Sequence, residues 1–150
     1  MSSLFAFLHH MAAFALIAAL AVEFVLIKEA LTVTIARKLL IADMVFGASA
    51  GAVLVIGLLR VFFFEKGAAF YFTNIPFLAK LTLFALIGLM SIRPTREFLS
   101  WRSAIKAGQA PNVDQATQQR LRTAIHVELA AATVLILCAA LMARGVGSLS

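Results

Sequence analysis

Two groups of ionisable residues lie in or beside long apolar stretches of this chain, and their types define the chemistry open to it. One group is His9, His10, Arg60 and Lys80; the other is Glu23, Asp43, His126 and Glu128. An ionisable side chain inside hydrocarbon is costly unless it is paired or wetted, so each invites a functional reading. Neutral imidazole is a ligand for haem iron and, near neutral pH, a proton carrier. Arginine and lysine beside it suit the carboxylates of a bound ligand. Acids gathered with a histidine suit proton relay or cation binding.

The elements that must position these groups are four apolar stretches, residues 4–27, 44–64, 75–92 and 123–143. Crossing a hydrocarbon core of about 30 Å takes about 20 helical residues, and each stretch is near that length. Composition agrees: 63% of residues are hydrophobic, 13% are charged, and the mean hydropathy is +0.99. That excludes an ordinary water-soluble domain. The expected fold is all-α, a four-transmembrane-helix up-down bundle in the lipid bilayer, with residues 1–150 forming one domain. The first stretch lacks a basic leader and a small-residue cleavage signal and is too long for a typical signal peptide, so it is expected to be retained. Cys138 is the one cysteine, which leaves neither a disulfide framework nor a cysteine metal cluster.

The connections have structure of their own. Residues 28–43 are expected to continue the first or second span into the headgroups, with Asp43 near the start of the second. Residues 93–122, with Trp101 among Arg96, Arg102 and Lys106, read as an amphipathic cytoplasmic segment between helices three and four, broken around Gly108 to Pro111. These connections hold Lys28, Arg37, Lys38, Arg93, Arg96, Arg102, Lys106, Arg120 and Arg122, against Arg60, Lys66, Lys80 and Arg144 on the other side. The positive-inside tendency therefore puts the connections in the cytoplasm, with both termini and the turn at 65–74 on the outer side. The net charge of +6 follows from that topology and from anionic headgroups, with no nucleic-acid partner. Phe62, Phe63, Phe64, Phe70, Tyr71, Phe72 and Phe77 form an expected interfacial belt at the outer edge.

Alternating helix direction places His9, His10, Arg60 and Lys80 in an outer layer and Glu23, Asp43, His126 and Glu128 in a cytoplasmic one. His9, Ala12, Ala19 and Glu23 share one helix face, and the step from His9 to Glu23 spans about 21 Å. His10 points about 100° away. His9 is either a wetted histidine at headgroup level or an axial ligand to haem b. In the latter case Arg60 pairs with a propionate, and Lys80 serves as second ligand when deprotonated or as another propionate partner. Gly47 and Gly51, followed by Gly57, suit helix packing or a ligand or oligomer face. In the cytoplasmic layer, a proton or ion path competes with acids favoured by helix N-termini at Asp43 and Glu128. Glu23 lies against its helix dipole and calls for a basic partner, Arg122 or protonated His126.

The segments FLHHMAAFALIAALAVEF, VIGLLRVFFFEKGAAFYF, FLAKLTLFALIGLMSI and IHVELAAATVLILCAALMARG make the whole chain similar to an uncharacterised family of bacterial four-span membrane proteins. More distantly, it resembles the haem-binding, four-helix type of protoporphyrinogen oxidase and the related copper-resistance membrane domains. The oxidase has a Leu-His early in its first helix with a small residue and leucine ten and eleven positions on, as Leu8-His9 and Ala19-Leu20 stand here. Its third helix opens much as Phe77-Leu78-Ala79-Lys80-Leu81 does. The resemblance implies haem binding through His9 and Lys80. The oxidase's aromatic and Pro-Arg features at the end of the first helix are absent, with Glu23 in that region, and its fourth-helix signature is only loosely echoed by Arg122, His126 and Glu128. The expected function is a haem-b redox protein of the bacterial inner membrane, acting with a quinone or porphyrin. The alternatives are a cofactor-free accessory or assembly subunit of a larger membrane complex, a homo-oligomeric one included, and a small transporter dependent on Glu23 and His126.

Overall fold

Local sequence signals set where each helix begins and ends. The structure, a computed structural model, describes residues 2–64 and 68–146; Lys66, counted above for topology, lies outside them. Helix α1 spans Ser2–Leu26. Thr32 then N-caps α2, Val33–Leu59, its hydroxyl accepting from the Ile35 N–H at 3.2 Å. A π-helical turn, Arg60–Phe64, continues α2, and a short α3 covers Ala68–Phe72. Asn74 caps α4, Ile75–Ser100, by accepting from the Phe77 N–H at 3.1 Å, with Pro76 in the first turn where its missing N–H is harmless. After α5, Arg102–Lys106, Gly108 at φ 71° turns the chain as only glycine does readily. Helix α6 then runs from Gln115 to Ala143.

Helices α1, α2, α4 and α6 are each long and apolar enough to cross a membrane. Each packs on its neighbours in chain order, and α6 closes the ring on α1. This is the four-helix up-down bundle the hydropathy pattern requires. Its outer face is apolar, with Phe14 72%, Phe63 74% and Leu89 64% exposed, as lipid contact demands.

Several helices outrun their apolar stretches. Residues 33–43 belong to α2, so about 15 Å of helix precedes Asp43. Glu128 similarly sits about 20 Å into α6. The expectation that helix N-termini favour these two acids is therefore corrected, because the dipole's influence fades within the first turn. Helix α4 also passes through Arg93-Pro94 to Ser100. Pro94 is buried there, and packing carries the helix through the one backbone bond that the ring removes.

The bundle is solid toward the end that carries the interhelical connections. Leu20, Leu39, Phe98 and Ile125 are fully buried there. Trp101, expected on an amphipathic surface segment, is a core residue. It is 4% exposed, its ring lies 5.0 Å from that of Phe98, and its Nε1 donates to Glu97 at 3.2 Å. The break beyond it falls where Gly108 and Pro111 predict.

Candidate functional site

At the end that carries both termini, small side chains leave the bundle open. Ala13 of α1, Gly57 of α2 and Ala139 and Ala143 of α6 line a cleft of about 840 Å³, within the range that takes a cofactor-sized molecule. His9, His10, Arg60 and Lys80 all border this cleft, and Lys80, Arg60 and His10 are the ionisable neighbours of His9. Arg60 reaches it from the first residue of the π-helical turn, a distortion that often marks functional sites because it re-aims side chains. Stacking of Phe5 on Phe64, 4.5 Å between centroids, ties that turn to α1. Tyr71 and Phe77, assigned above to an interfacial belt, are turned inward. They pack with Val61 in a small apolar cluster beside the cleft, whereas Phe62, Phe63 and Phe72 face outward.

The two histidines are held differently. The Nδ1 of His10 is 2.6 Å from the Ala6 carbonyl one turn back. His9 packs on α2 where Gly57 leaves bare backbone, and its Nδ1 is buried without a hydrogen-bond partner. The Val53 carbonyl lies near this ring without completing a hydrogen bond to Nδ1. The two rings meet edge to face at 6.1 Å between centroids. Gly47 and Gly51 are unlike Gly57, because a side chain at either would meet open space. That half of the small-residue stripe faces away from the other helices.

Toward the opposite end, Glu23 on α1, Asp43 on α2 and Glu128 on α6 converge. Their exposures are 1%, 4% and 1%, and Asp43 and Glu128 are the charges that act on Glu23. Thr95, in the α4 turn after Pro94, donates its hydroxyl to Asp43 Oδ1 at 2.8 Å. Oε1 of Glu23 and Oε1 of Glu128 have no hydrogen-bond partner. The basic partner expected for Glu23 does not enter this group. Arg122 donates Nε to the Ile27 carbonyl at 3.2 Å, satisfying the last turn of α1. His126 is exposed two positions before Glu128, therefore on another face of α6. There its ring meets Phe24 at 4.6 Å and its Nδ1 lies 2.6 Å from the Arg122 carbonyl. Of Glu23, Asp43, His126 and Glu128, the three carboxyls thus converge and His126 stands apart from them.

An all-helical, four-span bundle with a polar cleft at one end and a buried acid cluster toward the other defines a multi-pass integral membrane protein. Residues 1–147 match the family described as "Predicted membrane protein (DUF2214)", and the chain belongs to it. No curated protein and no solved structure matches the chain.

Proposed function

We propose that this protein binds haem b in the cleft at the terminal end of the bundle and works as a membrane redox protein. The observation that carries the reading is convergence: α1, the π-helical end of α2, and α4 bring His9, Arg60 and Lys80 to the wall of one 840 Å³ cleft. The donor set fits the group. His9 offers an imidazole whose Nδ1 lacks a protein partner, and His10 offers a second whose Nδ1 is next to a backbone carbonyl, the contact that orients ligating histidines. Arg60 and Lys80 supply positive charge suited to propionates, and a neutral Lys80 amine is the other candidate ligand. Phe77 and Phe84 add apolar surface for a flat macrocycle.

Bound haem would supply one-electron chemistry at a potential set by its ligands and surroundings. The chain's part is to hold and orient it. His9 is braced against bare α2 backbone, and the cleft's apolar wall limits water. A lipid-soluble quinone or porphyrin is the partner that suits a site built from membrane helices.

The test is haem stoichiometry in protein purified in mild detergent from haem-supplemented cells. The reading predicts bound haem approaching one per chain in the parent and severalfold less in His9→Ala. A folded parent without haem would overturn it, and would favour the accessory-subunit reading if the protein then co-purified with larger subunits.

A further inference from the structure

Three acids buried together need their charge balanced, and neighbouring side chains provide little to balance it. Glu23, Asp43 and Glu128 come from three different helices and are almost wholly excluded from solvent. The charges acting on Glu23 from the helices packed against it are Asp43 and Glu128, both acidic. Helix α4 contributes the Thr95 hydroxyl, on Asp43. Arg122 and His126, the nearest basic residues in sequence to Glu128, are engaged elsewhere. Among the described residues, no group of three or more His, Cys, Asp or Glu has the arrangement of a metal site.

Several carboxylates cannot all remain charged in such surroundings, where burial of even a paired ion is costly. Protonation removes that cost and does a second thing: a carboxylic acid is both donor and acceptor, whereas a carboxylate only accepts. An added proton therefore supplies a hydrogen for the partnerless Oε1 atoms of Glu23 and Glu128. We propose that Glu23, Asp43 and Glu128 form a proton-holding site inside the bundle, in which the three carboxyls share exchangeable protons and titrate as one coupled unit. The ligand is the hydron, and the site serves proton uptake and release in the membrane interior. The proposal is independent of the haem reading and is measured equally on pigment-free protein.

The experiment is pH-difference infrared spectroscopy on the full chain in lipid nanodiscs, in H₂O and D₂O, for the parent and for Glu23→Gln, Asp43→Asn and Glu128→Gln. The parent should show a carboxylic-acid C=O band at pH 7 that shifts in D₂O and disappears as the sample is made alkaline. Each variant should lose part of that band and change the titration of what remains. Absence of the band at pH 7, or a band unchanged in all three variants, would overturn the proposal. So would its loss at constant pH on adding Na⁺ or K⁺, which would mean a cation site. If one variant fails to fold, the other two still assign the band, and its absence from the parent overturns the proposal without any variant.

Discussion

A Cβ on residue 57 would stand 3.1 Å from Cε1 of His9, so the imidazole of α1 packs against α2 closely at a position where glycine leaves it room. Gly57→Ala should push the ring aside by a few tenths of an ångström. Crowding of this kind costs about 1–3 kcal/mol, and the helix-propensity gain of alanine over glycine returns up to about 1 kcal/mol. Thermal unfolding in detergent should therefore register a loss of about 3 kcal/mol or less, while haem content falls severalfold. Gly51→Ala is the control: a side chain there meets open space, and it should leave haem content unchanged. Equal effects of the two substitutions would contradict this account of His9.

The Thr95 hydroxyl is the hydrogen-bond donor to Asp43 in the structure. Thr95→Val keeps the shape and removes the donor, leaving a buried oxygen unsatisfied at a cost of about 1–3 kcal/mol. Thr95→Ser should recover most of the loss. Denaturation curves for the three proteins measure this directly, and a Val variant as stable as the parent would show that the bond contributes nothing.

The spans were legible in the sequence because a helix in lipid needs length and apolarity and little else, and both are local properties. The convergence of His9, Arg60 and Lys80 was legible because alternating helix direction fixes which ends are neighbours. Rotation about each helix axis was not. The first half of α6 carries polar residues on several sides, so periodicity gives little sign that His126 faces outward while Glu128 faces in, and an aromatic run gives none that Tyr71 and Phe77 turn toward the cleft. The continuation of α2 ahead of its apolar stretch agrees with the reading of residues 28–43, whereas α6 begins after Asp114, well before the apolar residues that hydropathy detects. Thr32 could have been found as an N-cap by residue type. Thr95 carried no such signal, being one hydroxyl beside a proline, and only the packing of α4 against α2 gives it a role.

Asp114, outside the apolar part of α6, occupies its N-cap position without a side-chain cap hydrogen bond of good geometry. The Thr117 side chain facing it nonetheless holds its carboxyl below the usual range, with the Thr117 backbone and Arg120 acting in the same sense. A depressed value means that the stabilising contribution is fully present above the ordinary aspartate range, near pH 4. It is lost as pH falls through the lower folded-state value. Amide exchange at residues 118–121, the first to bond back into the helix, with Gln118 donating to the Asp114 carbonyl, should accordingly show an acid-dependent loss of protection below about pH 4 that Asp114→Asn lacks. A profile identical in the two proteins would remove Asp114 from the start of α6.

The most direct test of the central claim is the oxidised and dithionite-reduced absorption spectrum of the protein purified from haem-supplemented cells, beside His9→Ala and Lys80→Ala. The account predicts a Soret band with sharpened α and β peaks on reduction in the parent, lost in His9→Ala and shifted or diminished in Lys80→Ala. A folded, colourless parent, or a parent spectrum reproduced unchanged by both variants, would contradict it.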